Sequence, residues 1–142
     1  MLDSLYSEII LDLYKSGKNC TCTDNCEHST EAHNPLCGDS LKLEFNLKDN
    51  NLDSVAIECN GCAISVASAY FMKKEVENLS KEDAKVLAEK FVDNITSDTT
   101  NLKMKAEYAV FEGVKKFPAR VKCATMCWHA LLDLLKDKSE TV

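Results

Sequence analysis

A chain of 142 residues that is 45% apolar can bury one core and is short for two. Seventeen basic against 23 acidic residues give a net charge of −6, which argues against general nucleic-acid binding, whose affinity rests on neutralising phosphates. No apolar run approaches the roughly 20 residues that span a bilayer, and the N-terminus shows no basic region ahead of an apolar stretch, so the expected setting is cytoplasmic, with no membrane partner.

Leu2, Leu5, Tyr6, Ile9, Ile10, Leu13 and Tyr14 follow the spacing of an amphipathic helix that Gly17 is placed to end. Residues 17–36 have no apolar period and read as a long loop. Leu41, Leu43, Phe45 and Leu47 then alternate with polar residues as a half-buried strand. Asp49-Asn50-Asn51 makes a turn, and Val55, Ile57 and Cys59 continue the alternation in a second strand. Gly61 breaks that strand, and a helix rich in Ala and Ser runs from Ala63 to about Glu77. Ser80 is placed to cap the next helix, which carries Ala84, Leu87, Ala88, Phe91, Val92 and Ile95 inward. After the polar break 97–101 a short helix is expected through Tyr108, Phe111 and Val114. Pro118 suits the first turn of a final helix carrying Val121, Cys123, Cys127, Trp128, Leu131 and Leu135. The predicted architecture is α+β: one domain over residues 1–142, with a small antiparallel sheet against about five helices.

Eight cysteines make about 6% of the chain, below the roughly 8–10% of short disulfide scaffolds. In a reducing compartment such cysteines more often mean metal or sulfur chemistry than staples. Three of them lie at element boundaries beside Gly or Pro: Cys37 in Asn34-Pro35-Leu36-Cys37-Gly38-Asp39, Cys62 in Gly61-Cys62-Ala63-Ile64-Ser65, and Cys123 in Phe117-Pro118-Ala119-Arg120-Val121-Lys122-Cys123-Ala124. With Asp39 they offer three sulfurs and one oxygen, a set zinc accepts in tetrahedral geometry. Spacing alone favours the plainer reading of three buried cysteines and a surface aspartate. A basic run of Lys103, Lys105, Lys115, Lys116, Arg120 and Lys122 leads into Cys123.

Those three segments resemble, in order, the signature segments of the iron–sulfur cluster scaffold family that includes IscU, SufU and the NifU N-terminal domain. Lys122 before Cys123, where the IscU branch has a histidine, and the long connection between Cys62 and Cys123 resemble the SufU branch. The resemblance implies a zinc-bearing protein that accepts persulfide sulfur from a cysteine desulfurase, with other cluster-assembly proteins as further partners. Carried over by position, Cys37, Asp39, Cys62 and Cys123 would be the metal ligands, Cys37 the sulfur acceptor, and Arg120 and Lys122 the docking residues. The competing reading is a scaffold that itself assembles a labile iron–sulfur cluster, since the same cysteines suit iron. A structural zinc module and a disulfide-stapled secreted domain are the remaining alternatives.

Other cysteines depart from that pattern. Cys59 and Cys127 are core residues or auxiliary sulfur beside the site. Cys20-Thr-Cys22-Thr-Asp-Asn-Cys26-Glu-His28 could chelate a second zinc through Cys20, Cys22, Cys26 and His28, or be a loop of exposed thiols. His33 is an alternate ligand near the Cys37 turn, and His129 reads as structural.

Overall fold

The computed structural model describes residues 8–23, 25–35, 38–96 and 111–136. Helix α1 (Glu8–Gly17) ends at the expected glycine. A β-carbon on Gly17 would stand 2.9 Å from Tyr70 Cβ and 3.0 Å from Val66 O, so the helix end packs tightly on α2 (Ala63–Val76). Because it is covered from several sides, α2 buries Ile64, Ser65, Val66, Ala67, Ser68, Ala69, Phe71 and Met72, more than one stripe of its surface.

Strands β1 (His28–Asn34), β2 (Asp39–Lys48) and β3 (Asn51–Asn60) form an antiparallel sheet in the order β1-β2-β3. The β2–β3 hairpin turns through Asp49 and Asn50 at φ 53° and 67°, the left-handed pair that a two-residue hairpin loop needs and that Asp and Asn tolerate. Leu41, Leu43, Phe45, Val55, Ile57 and Cys59 face the core. Lys42, Glu44 and Glu58 occupy the opposite face, because side chains alternate along a strand.

Strand β1 corrects the reading of residues 17–36 as loop. His-Ser-Thr-Glu-Ala-His-Asn carries no apolar alternation, because an edge strand is only half covered: its even residues are half-buried and its odd ones exposed until Asn34. What holds it is pairing with β2, from His28 opposite Phe45 to Asn34 opposite Asp39.

Helix α3 (Lys81–Thr96) starts where Ser80 caps it, its Oγ accepting from Asp83 N at 3.0 Å. The segment 97–110, with Tyr108, lies outside the described residues. Of the helix expected through Tyr108, Phe111 and Val114, the described part is a 3-10 helix, Glu112–Lys116. Helix α4 (Pro118–Leu135) opens on the proline. Four α-helices and one 3-10 helix therefore surround the sheet among the described residues, against about five helices expected. Aromatic contacts join α3, α4 and the 3-10 segment, with the Phe91 and Trp128 rings stacked at 4.3 Å and Phe111 against Phe91 at 5.6 Å.

A buried polar clamp sets α2 against α4. Ser68 Oγ donates to Ala124 O at 2.6 Å and accepts from Trp128 Nε1 at 3.0 Å. Ser68→Ala leaves the buried indole N–H without that acceptor, which costs about 1–3 kcal/mol. Denaturant titration is expected to show that loss, and a change below half a kilocalorie per mole would mean that the clamp contributes nothing.

Candidate metal centre

Three elements bring one ligand each to a point. Asp39 opens β2, Cys62 stands at the N-cap of α2, and Cys123 lies in the second turn of α4. Their ligand atoms all lie within 4.8 Å of one another. Asp39 and Cys123 are each 1% exposed, whereas Cys62 is half-buried, so the centre opens to solvent past Cys62.

The carboxylate is held from two sides. Asp39 Oδ1 accepts from Cys62 N at 3.1 Å, and Oδ2 accepts from Ser65 Oγ at 2.6 Å. Both oxygens of so buried a carboxylate therefore have a donor. The Cys123 sulfur is likewise supported, with Asn34 Nδ2 and Arg120 Nη1 each donating to it at 3.9 Å. Asn34 and Ser65 are the residues that motif reading left without a role, although both sit inside the quoted segments. Their importance depends on β1 pairing and on the first turn of α2, which no spacing rule reveals.

Gly61 is required by close approach. A β-carbon there would overlap Asp39 Oδ1 and stand 2.7 Å from Asp39 Cγ. Gly61→Ala is therefore expected to swing the carboxylate out of the centre and to weaken zinc binding by at least the roughly 10–100-fold that losing a ligand's supporting partner costs. Competition with a chromophoric chelator measures this, and wild-type affinity in the alanine variant refutes the role given to Asp39.

Cys37 lies outside the described residues. Its neighbour Gly38 is exposed with φ 70°, a left-handed backbone that suits glycine. Arg120 turns toward Cys123, and Lys122 is exposed beside a groove that His33 and His129 also line. Both histidines are exposed and neither joins the three-ligand cluster. Cys59 and Cys127 are buried, and their thiols are pushed up to about 12, in both cases first by burial. For Cys59 the charges of Asp39 and Cys62 add to the effect, which puts it against the inner side of the centre.

The cysteine-rich loop is dispersed. Cys20 Sγ donates to Ser16 O at 3.6 Å, Cys22 Sγ to Lys42 O at 3.3 Å and Cys26 Sγ to Ser54 O at 3.8 Å. His28 stacks on Phe45, 5.4 Å between ring centroids, on the core side of the sheet. Among the described residues Cys20, Cys22, Cys26 and His28 are therefore not brought together.

Two thiols and one carboxylate, mutually close and largely dry, fit zinc, which takes sulfur and oxygen ligands in four-coordinate sites. No described helix is long and apolar enough to cross a membrane.

Residues 5–124 match the family described as NifU-like N terminal domain. The zinc-dependent sulfurtransferase SufU of Bacillus subtilis is 34% identical over 134 residues, covering 92% of this chain and 88% of the relative. The iron-sulfur cluster assembly scaffold protein IscU of Streptococcus pyogenes is 33% identical over 136 residues, covering 95% and 85%. The crystal structure of a putative iron-sulfur cluster assembly scaffold protein for the SUF system from Fervidobacterium islandicum superposes with a TM-score of 0.81 at 31% identity, covering 94% of this chain and 98% of that one.

Proposed function

We propose that this chain, which belongs to the family of NifU-like N-terminal domains that includes SufU and IscU, is a zinc-bearing sulfur acceptor serving iron–sulfur cluster assembly. The observation that carries this reading is the convergence of Asp39, Cys62 and Cys123 from three separate elements. Cys37 is the fourth ligand and the thiol that accepts sulfur, and the whole of residues 1–142 acts as one domain in the cytoplasm. A cysteine desulfurase is the donor, and Lys122, exposed and next to Cys123 in the chain, contributes to docking it.

Sulfur acceptance is an exchange reaction. The acceptor thiolate attacks the outer sulfur of the donor's persulfide, a new S–S bond forms, and the donor's own S–S bond breaks to leave its thiolate. Zinc, when bound, supplies the positive charge that keeps coordinating thiols deprotonated. The chain's residues do the rest. Ser65 and the Cys62 amide hold the Asp39 carboxylate, the most easily displaced ligand for a borderline-soft ion. Arg120 and Asn34 hold the Cys123 sulfur in place. Cys62 lies at the start of α2, with its sulfur 3.5 Å from Ser65 Oγ.

A cluster scaffold is the second reading, favoured by the resemblance to IscU relatives at 33% identity. Protein purified without added metal is expected to carry zinc and to stimulate desulfurase turnover on cysteine. Absence of zinc, no stimulation, and a stable iron–sulfur absorption spectrum after anaerobic reconstitution together would transfer the assignment to the scaffold.

A further inference from the structure

Strand β1 is an edge strand, paired with β2 on one side only among the described residues. An edge of this kind presents a row of backbone N–H and C=O groups to which another extended segment can pair. A groove runs along it, between β1 and α4. Consecutive residues 30–35 line one wall, so side chains from both faces of the strand border the groove, which follows the edge itself rather than either face. Lys122, Met126, His129 and Asp133 line the other wall at the spacing of one helix stripe.

The two walls match in length and lead to the sulfur-accepting centre. Residues 30–35 extend about 17 Å at a strand's rise, and Lys122 to Asp133 about 16 Å at a helix's rise. One end lies at the centre, because Asn34 lines the groove and donates to Cys123 Sγ, and Lys122 adjoins Cys123 in the chain. The other end lies toward His28, which shares a second hollow with Asp133 and Lys136. Charge divides along the same line. Lys122 is exposed at the centre end with no ion pair among the described residues, whereas the far end carries the exposed Asp133 carboxylate, 3.5 Å from Lys136.

We propose that this groove takes an extended segment of the sulfur donor as an added strand on β1, with the segment's sulfur-bearing end at the centre. This rests on the sulfur-accepting role of the centre. The matching partner has an acidic residue beside Lys122 and a basic one toward Asp133, with about five residues of strand between the ends. Access selects an extended segment over a folded surface. Asp39 and Cys123 are each 1% exposed, and a single strand held by main-chain hydrogen bonds brings its end to so dry a centre without needing a deep pocket.

Sulfur uptake from two donors tests the docking. A desulfurase holoenzyme charged with cysteine has to dock, whereas glutathione persulfide gives up its outer sulfur, leaves as glutathione thiolate, and is small enough to need no groove. His129→Trp fills the groove from an exposed position. It is expected to raise the desulfurase concentration for half-maximal uptake by roughly tenfold or more, the loss that follows from removing one anchoring contact. Uptake from glutathione persulfide and bound zinc should stay at the wild-type level. Lys122→Glu should weaken desulfurase docking most at low salt, and Lys85→Trp, exposed on α3, should change nothing. Amide hydrogen exchange across residues 29–33 should slow when wild type binds the desulfurase. Unchanged desulfurase uptake in His129→Trp overturns the docking site, as do β1 amides that exchange as fast in the complex as in the free chain. The exchange measurement on wild type decides the matter if His129→Trp fails to fold by circular dichroism. Uptake by wild type from neither donor would instead end the sulfur-accepting reading on which the docking rests.

Discussion

Cys123→Ser is expected to purify folded and with the zinc of the sulfur-accepting centre gone. Serine is nearly the same size as cysteine and can still donate to Ala119 O, which the Cys123 thiol does at 3.5 Å, so α4 keeps its first turns. What it cannot do is supply a thiolate to the cluster with Asp39 and Cys62. Losing a ligand should cost more than the roughly 10–100-fold that follows from losing a ligand's supporting partner. Cys62→Ser should behave alike. Cys127→Ser is the control: its sulfur lies 3.5 Å from Ser68 Oγ in the α2–α4 clamp, and it should keep all its zinc. Metal analysis alongside circular dichroism reads all three. Stoichiometric zinc at this centre in Cys62→Ser and Cys123→Ser would end the assignment.

Cys37→Ser is expected to abolish sulfur uptake. The argument is partly one of elimination among the thiols near the centre. Cys59 and Cys127 are pushed up to about 12 by burial, so they remain thiols at neutral pH and make poor nucleophiles. Cys123 is 1% exposed and cannot meet a sulfur carried on another protein. Cys62 is half-buried at the start of α2, its sulfur 3.5 Å from Ser65 Oγ, and is the alternative acceptor. Cys37 adjoins Gly38, which is exposed, and lies two residues from the ligand that yields most readily. Incubation with a desulfurase and cysteine should add one sulfur to the Cys37 peptide in wild type. In Cys37→Ser both that mass and the stimulation of turnover should vanish while the fold persists. Added sulfur found on Cys62 instead would move the nucleophile to the helix start. Added sulfur confined to Cys59, Cys127 or the Cys20–Cys26 loop would remove the acceptor role from the centre altogether.

Periodicity was a sound guide where one face of an element is buried. Strands β2 and β3, the Asp49-Asn50 hairpin, the Ser80 cap and the Pro118 start could all be read from residue types, because each depends on neighbours within a few positions. Strand β1 could not. Its stability comes from pairing with β2, and residues such as Ser29, Thr30 and Glu31 carry no apolar signal of that pairing.

The candidate ligands divide along the same line. Residue types in three short segments were enough to single out Asp39, Cys62 and Cys123, and the family resemblance follows from those segments alone. That the three ligand atoms lie within 4.8 Å of one another is a property of the fold, since it needs the end of β2, the start of α2 and the second turn of α4 to meet. So do the supporting roles of Ser65 and Asn34, the need for glycine at position 61, and the turning of Arg120 toward sulfur. The cysteine-rich loop shows the difference most directly. Sequence proximity grouped Cys20, Cys22, Cys26 and His28, but strand alternation sends His28 to the core side and the three sulfurs bond to separate backbone carbonyls, those of Ser16, Lys42 and Ser54. The sequence by itself determined which chemistry the chain carries, because chemistry resides in side-chain type. Only the tertiary structure decided which of those side chains meet, because their proximity is set by pairing and packing between residues far apart in the chain.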